Sequence, residues 1–177
     1  MKSTQLESKD GRIITTRHAN PKDAGDLHLG FRQVVEEGLW LPTLAPNASV
    51  ADWVTWIERT HHCREVLLVA HVDGLYAGHL TLQPEEWTAS QHVAKLGIIV
   101  LSDFRNIGVG RALMLEAETA AIEREYEKIV LSTFETNSMA LSLYESLGYR
   151  IVGRRARHFR MPKGFIDEVL MEKALDV

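Results

Sequence analysis

A basic residue and two glycines stand between an apolar run and a helical pattern in the middle of the chain. The apolar run is 96–101, the three residues are Arg105, Gly108 and Gly110, and apolar residues then recur with helical spacing. Glycine lets the backbone approach a ligand closely, and the first N–H groups of a helix have no partner inside that helix. The helix dipole adds partial positive charge there. The segment therefore predicts a strand, a tight loop and a helix start that suit a phosphate or pyrophosphate.

Two better-known glycine loops do not fit this segment. A P-loop needs a lysine and then a serine or threonine after its last glycine, whereas Gly110 is followed by Arg111 and Ala112. The dinucleotide-binding fingerprint needs a third small residue where Leu113 stands. The loop therefore belongs to another class of phosphate site.

A second segment, 137–149, has the pattern of an amphipathic helix that ends in a glycine cap at Gly148. Its apolar positions are Ala140, Leu143, Tyr144 and Leu147. Asn137 and Tyr144 are seven residues apart, so two helical turns place them on one face. Taken alone, Asn137 is best interpreted as a helix N-cap and Tyr144 as a core aromatic with its hydroxyl bonded to the backbone.

Together the two segments resemble the GNAT superfamily of acetyl-CoA-dependent N-acetyltransferases. The matching residues are Arg105, Gly108, Gly110, Asn137, Tyr144 and the pair Gly148-Tyr149. The clear resemblance covers 96–149, and weaker agreement extends over 13–175. It implies transfer of an acetyl group from acetyl-CoA to a primary amine of a small molecule or a protein, by direct attack in a ternary complex.

The resemblance also implies roles for individual residues. The pantetheine arm would pair with the strand edge at 98–100, and a backbone N–H near Val100 would stabilise the oxyanion. The backbone of 106–111 would hold the pyrophosphate, Asn137 would bond the pantetheine, and Tyr144 would protonate the leaving thiolate, since a phenol keeps its proton at neutral pH. The implied cofactor-binding residues are Ile98, Ile99, Val100, Arg105, Asn106, Ile107, Gly108, Val109, Gly110, Arg111, Asn137 and Tyr144.

The general base is not evident, because the fourth strand carries no glutamate. The candidates nearby in the pattern are His79, Glu85, Glu86, His92 and Glu135. Each has the sequence context of an ordinary surface residue, so we expect water to mediate removal of the amine proton.

Two further groups of residues are candidates for the acceptor site. Glu36 and Glu37 would attract a cationic amine, although an acidic helix end before a glycine is the preferred interpretation. Of the four tryptophans, Trp40 and Trp87 are the candidates for lining an acceptor pocket, and the other two are interpreted as helix-packing residues.

Composition places the chain among globular proteins. It has 177 residues, 45% of them hydrophobic and 25% charged, so we expect one domain over 1–177 with a core from 12 to 175 and a flexible segment at 1–11. The net charge of −4 gives no reason to expect nucleic acid or an anionic membrane as a partner. The single cysteine, Cys63, favours a reducing, cytoplasmic compartment, and a homodimer is left open.

Periodicity and turn signals predict an α/β protein with a mixed, mostly antiparallel central sheet of about seven strands flanked by about four helices. Strands are predicted over 12–17, 65–71, 76–83, up to 101, 128–134, 150–159 and 165–172, and helices start at 21, 49, 108 and 137. Asp73-Gly74 predicts a tight hairpin between the second and third strands. This element order is that of the GNAT fold.

Other constellations are weaker. His61-His62-Cys63 lies at a predicted helix end where neighbouring side chains point apart, so no metal site is expected. A basic C-terminal segment, defined by Arg150, Arg154, Arg155, Arg157, Arg160 and Lys163, is interpreted as the solvated face of two strands. Two other functions stay open: a non-catalytic acyl-CoA-binding or regulatory module on the same fold, and a protein that uses the glycine loop for another nucleotide.

Overall fold

Eight strands and four α-helices form over residues 3–176, the part of the chain that this computed structural model describes. Within it the strands are β1 (Ser3–Glu7), β2 (Ile13–His18), β3 (Val66–Val72), β4 (Leu75–Pro84), β5 (Val93–Val100), β6 (Lys128–Phe134), β7 (Arg150–Met161) and β8 (Gly164–Ala174). The α-helices are α1 (Ala24–Glu37), α2 (Val50–Thr60), α3 (Val109–Glu123) and α4 (Ser138–Ser146).

The strands form one sheet in the order β1-β2-β3-β4-β5-β6-β8-β7. All neighbouring pairs are antiparallel except β5 and β6, which run parallel. The expected α/β class and mixed sheet are confirmed, with eight strands where the sequence indicated about seven. The Asp73-Gly74 hairpin is confirmed as well, because both residues have the positive φ angles, 48° and 83°, of a tight turn.

The additional strand lies in the segment that we expected to be flexible. Residues 3–7 pair with β2, and the turn that follows is held by Ser8, whose hydroxyl oxygen accepts from the Arg12 N–H at 2.8 Å. The side chains of β1 are largely exposed, Leu6 included. The strand is held by backbone hydrogen bonds at a sheet edge and not by buried side chains. Its sequence therefore lacks the apolar alternation from which a strand is predicted.

The parallel pair β5 and β6 separates along its length. Their register runs only from Val93 opposite Lys128 to Lys95 opposite Val130. Beyond Lys95 the described chain shows no further pairing between them, so the carboxyl-terminal half of β5 turns its edge toward an opening in the sheet. That opening creates the space for a ligand.

The helices cover the two faces of the sheet and form two separate cores. One core joins α3 and α4 to the sheet, and its buried members include Leu80, Leu113 and Tyr144. The other joins α1 and α2 to the opposite face through residues such as Leu27 and Ile57. The opening beside β5 is therefore flanked by helices on both sides of the sheet.

Candidate active site

A cavity of about 670 Å³ occupies the opening between β5 and β6. It is bounded by the amino-terminal end of α3, by α4 and by the edge of β5. The expected cofactor-binding residues that line it are Ile98, Ile99, Val100, Arg105, Asn106, Gly108, Gly110, Arg111, Asn137 and Tyr144. Ile107 and Val109 do not line it, because their side chains pack against the core. We name this space the donor cavity.

The glycine loop presents main-chain groups to the donor cavity. Gly108 has a φ of 113° and is the N-cap of α3, which starts one residue later than the sequence pattern indicated. The first helical hydrogen bond runs from the Ala112 N–H to the Gly108 carbonyl, so the preceding N–H groups of the helix have no partner within it. A Cβ on Gly110 would lie 3.1 Å from Leu143 Cδ2. The loop thus forms an N–H cradle of the kind that binds phosphate.

Arg105 lines the donor cavity but its guanidinium is already paired. Its Nη1 and Nη2 donate to the two carboxylate oxygens of Glu37 at 2.7 and 2.6 Å, and its Nε donates to the Val100 carbonyl at 2.9 Å. Trp40 covers it, with the Arg105 Cζ 5.1 Å from the ring centroid. The ion pair with Arg105 also holds the pKa of Glu37 below its ordinary value.

The sequence-based interpretation of Glu37 changes as a result, because both charges are used within the protein. The charge of Arg105 is neutralised by a carboxylate, so it does not add a free positive charge for the cofactor. Glu37 in turn is not available to attract a cationic amine, while Glu36 is exposed and only 3.8 Å from Arg32. These contacts instead tie the end of α1 to the glycine loop.

Asn137 and Tyr144 face the donor cavity from α4, as their spacing predicts. The Asn137 side-chain oxygen accepts from the Ala140 N–H at 3.2 Å, so Asn137 is also the N-cap of the helix. Tyr144 is 5% exposed, and burial raises the pKa of its hydroxyl, which therefore stays protonated. The Tyr144 side chain therefore lines the cavity with its phenol protonated.

A second cavity, of about 440 Å³, lies on the α1–α2 face of the sheet. It shares Leu41, Gly97, Ile98 and Ile99 with the donor cavity, so the two spaces meet at β5. The other lining residues are Phe31, Ala48, Asp52, Trp53, Trp56, His79 and Thr81. We name this space the acceptor pocket.

The aromatic lining of the acceptor pocket differs from the sequence-based expectation. Trp53 and Trp56, interpreted as packing residues, line it, whereas Trp87 is 76% exposed and lines neither cavity. Trp40 lines the donor cavity. An apolar helix stripe has the same sequence signature whether it faces a core or a cavity, so the sequence offered no signal that separates the two.

Of the five base candidates, only His79 reaches a cavity. It is 4% exposed, its Nδ1 lies 2.6 Å from the Tyr76 hydroxyl, and burial lowers its pKa to about 3. Burial also raises the pKa of Tyr76, so that hydroxyl keeps a proton to share with the imidazole. Glu135 pairs with Arg154. The remaining candidates, Glu85, Glu86 and His92, line neither cavity.

Lys9 is a donor-cavity residue that the sequence pattern did not identify. Its backbone N–H donates to the Ile107 carbonyl at 2.9 Å, which fastens the β1–β2 turn to the glycine loop. Its side chain is exposed and contributes to the cavity lining. A lone lysine about a hundred residues before the loop carries no motif, so only the fold brings the two together.

The arginines of the basic C-terminal segment make contacts within the protein. In the basic segment, Arg150, Arg154 and Arg155 pair with carboxylates, and Arg157 and Arg160 stack on the Phe165 ring.

Across residues 3–176 no group of three or more His, Cys, Asp or Glu side chains is placed to hold a metal. None of the helices in that range has both the length and the apolar character to cross a membrane.

Known proteins resemble this chain in sequence and in fold. The acetyltransferase (GNAT) family matches residues 33–149. The L-amino acid N-acetyltransferase AaaT of Escherichia coli K12 is 33% identical over 90% of this chain and 97% of its own length. An N-alpha-acetyltransferase of Sulfurisphaera tokodaii is 31% identical over 86% of this chain and 89% of its own length.

Solved structures show the same fold. A GNAT-family acetyltransferase from Streptococcus pneumoniae superposes with a TM-score of 0.85 at 24% identity, over 91% of this chain and 99% of its own. The yncA protein of Salmonella typhimurium, solved with acetyl-CoA, gives 0.86 at 16% identity over 93% and 95% of the two chains. The two relatives in sequence, both N-acetyltransferases, favour an enzyme over a non-catalytic module. The chain therefore belongs to the GNAT family and is an acetyl-CoA-dependent N-acetyltransferase.

Proposed function

We propose that this enzyme acetylates an α-amino group, either of a free L-amino acid or of a polypeptide amino terminus. The observation that carries the proposal is the meeting of the two cavities at Gly97–Ile99, which lets an amine from one side reach a thioester on the other. One relative in sequence is named an L-amino acid N-acetyltransferase and the other an N-alpha-acetyltransferase. An α-amine is the acceptor group that these two kinds of substrate have in common.

Acetyl-CoA occupies the donor cavity in this proposal. Its pantetheine arm lies along the free edge of β5 at Ile98–Val100, where main-chain groups are open to hydrogen bonding. The N–H groups at the start of α3 hold the pyrophosphate, and the Lys9 ammonium contacts a cofactor phosphate. Arg105 contributes by holding the loop in place through Glu37.

The reaction follows from these positions. The amine nitrogen attacks the thioester carbonyl, its C–N bond forms, and negative charge collects on the oxygen near the Val100 N–H. The C–S bond then breaks, and the thiolate takes the proton of Tyr144, whose hydroxyl lines the donor cavity. Tyr144 regains a proton from solvent after release of the products.

In this proposal water takes one proton from the ammonium form of the acceptor before attack, and a second proton leaves the nitrogen to water once the C–N bond has formed. His79 is a poor base because burial lowers its pKa to about 3 and Tyr76 occupies its Nδ1. The one carboxylate that lines the acceptor pocket within the described residues is Asp52, and its pKa is lowered by the hydrogen bonds that it accepts from Ser49. A general base for an ammonium ion needs a pKa near the working pH, and the lowered pKa values of His79 and Asp52 make both poor bases.

The test is a CoA-release assay with matched amines. Free L-amino acids and peptides with a free amino terminus should be acetylated, whereas the same compounds with a blocked α-amine should not. Acetylation of lysine side chains or polyamines alone would contradict the proposal. Stabilisation by acetyl-CoA, compared with ATP and NAD, tests donor binding separately. The cytoplasmic location stays a prediction from the sequence, and the question of a homodimer stays open.

A further inference from the structure

The acceptor pocket has a chemical character of its own. Phe31 and Trp56 flank Trp53, with ring centroids 6.0 and 5.2 Å away, and the His79 ring meets Trp53 edge-on at 5.5 Å. The indole N–H of Trp56 donates to Glu65 at 2.6 Å, so the polar atom of this ring is already paired. The walls are therefore mainly carbon.

The polar groups in the pocket are few. His79 is neutral and bonded to Tyr76, and Thr81 is a hydroxyl on the neighbouring part of β4. Asp52 is the single formal charge among the described lining residues, and its carboxylate is held by Ser49 at the first turn of α2. A negative charge in this wall disfavours an acidic group beside it.

Glycine at position 97 brings the pocket to the reacting centre. Gly97 belongs to β5 and borders both cavities, and a Cβ built on it would lie 3.1 Å from Thr81 Oγ1. Because Gly97 has no side chain, nothing extends from this position of the strand into the junction of the two cavities. An acceptor whose α-amine faces the donor cavity would place the substituent on its α-carbon in the acceptor pocket.

From these contacts we propose that the acceptor pocket binds the side chain of the α-amine substrate and selects large apolar side chains. This inference rests on the proposed function, because it requires an α-amine acceptor. A volume of about 440 Å³ lies within the range of pockets that enclose small ligands. Burial of such a side chain against the three aromatic residues provides the binding energy.

The experiment measures kcat/KM for Gly, Ala, Leu, Met, Phe, Glu and Lys, each as the free amino acid and as the first residue of a short peptide. We expect Phe, Met and Leu to exceed Ala by about 10- to 100-fold, because each buried methylene adds discrimination. Glu should be the poorest substrate. Equal values across the series, or Lys as the best substrate, would overturn the proposal, the latter by indicating a cation site of aromatic rings and Asp52.

Two variants locate the effect in the pocket. Ala48→Phe fills the pocket from the loop between α1 and α2, and it should remove the preference for Phe over Ala while the KM for acetyl-CoA stays unchanged. Trp56→Leu should lower kcat/KM for Phe about tenfold and that for Ala much less. The matched control is Trp87→Leu, an exposed tryptophan that lines neither cavity, and it should leave the series unchanged. A retained Phe preference in folded Ala48→Phe would contradict the proposal.

The outcomes separate this inference from the proposed function. If α-amines are acetylated without regard to the side chain, the α-amine proposal holds and the pocket inference is wrong. If blocked α-amines react as well as free ones, the proposed function itself is wrong. Thermal unfolding with acetyl-CoA shows whether each variant is folded and binds the donor.

Discussion

The donor cavity and the acceptor pocket lie on either side of the same strand, and they are built from different parts of the chain. The donor cavity is formed by the edge of β5, the N–H groups at the start of α3 and one face of α4. The acceptor pocket is formed by large side chains from α1 and α2, such as Phe31 and Trp53. Main-chain groups bind a fixed cofactor whatever the side chains are, whereas side-chain walls change shape with each substitution.

A cluster of three residues joins the two cavities. Arg105 from the glycine loop bonds Glu37 at the end of α1, and Trp40 donates its indole N–H to the same carboxylate. The next residue, Leu41, lines both cavities. Because Trp40 directly precedes Leu41, we expect the ion pair to hold the wall that the two cavities share.

The largest effect expected on the donor side is loss of the Tyr144 hydroxyl. Tyr144→Phe removes the proton donor and keeps the ring, so kcat should fall by about 100- to 10,000-fold while the KM for acetyl-CoA changes little. Steady-state kinetics per folded molecule measure this. Tyr149→Phe is the control, because that ring lies 6.1 Å from the Tyr144 ring yet does not line the cavity. A normal kcat with reduced stability in Tyr144→Phe would assign Tyr144 to the core.

The next effect concerns the main-chain cradle. Gly108→Val forces a β-branched residue into a φ of 113°, so the loop must rearrange and its N–H groups lose their alignment. We expect acetyl-CoA affinity to fall by about 100-fold, measured by calorimetry. Gly164→Val is the matched control, because Gly164 has a φ of 129° at the first residue of β8 and open space around it. Equal affinity in folded Gly108→Val would contradict a main-chain phosphate site.

The two cavities also differ in how far the sequence determines them. The glycine loop and the Asn137–Tyr144 spacing each lie within one short segment, and local periodicity places them on a helix start and a helix face. The hairpin at Asp73-Gly74 and the caps of the helices follow from local turn chemistry in the same way. These features were therefore predictable from the residues.

The remaining features depend on contacts between distant segments. Glu37 and Arg105 are 68 positions apart, and nothing local indicates that they pair. The polar strand Ser3–Glu7 is held by edge hydrogen bonds, and Trp53 lines a pocket with the same helical spacing as a core residue. Tertiary structure, not local preference, decides each of these three cases.

A smaller effect is expected from Lys9. Lys9→Ala removes an exposed ammonium from the donor cavity, so the KM for acetyl-CoA should rise by about 3- to 10-fold at low ionic strength and less at high salt. Acetyl-CoA without its 3′-phosphate identifies the contact. If the native enzyme and Lys9→Ala have the same KM for this shortened donor, Lys9 binds the 3′-phosphate. If the KM of Lys9→Ala is still higher, Lys9 binds the pyrophosphate. An unchanged KM with both donors would remove Lys9 from the site, and Lys163→Ala serves as the exposed control.

The ion pair between the two cavities should show mainly in stability. Glu37→Gln leaves the Arg105 guanidinium without its carboxylate, and we expect a loss of about 1–2 kcal/mol, with an acceptor KM raised a few-fold. The folded protein lowers the pKa of Glu37, so the stabilisation is fully present above the ordinary glutamate pKa of about 4.3. It is lost as the pH falls from there through the lowered pKa of the folded state.

Thermal unfolding across pH measures this dependence. The Tm difference between the native enzyme and Glu37→Gln should be constant near neutral pH and should shrink below about pH 4. Glu36→Gln is the matched control, because Glu36 is exposed and makes only a long contact with Arg32. An equal Tm for both variants would show that the pair does not hold the shared wall.

The smallest effects are expected for the remaining base candidates, which lie outside both cavities. Glu85→Gln, Glu86→Gln, His92→Gln and Glu135→Gln should each change kcat/KM by less than about threefold, because a base must lie within hydrogen-bond reach of the amine or of one bridging water. The pH profile of kcat/KM should rise with pH until the free amine itself titrates. His79 adds no step near neutral pH, because burial lowers its pKa to about 3. A single one of these variants that abolishes turnover, with acetyl-CoA binding intact, would identify a side-chain base and contradict proton removal by water.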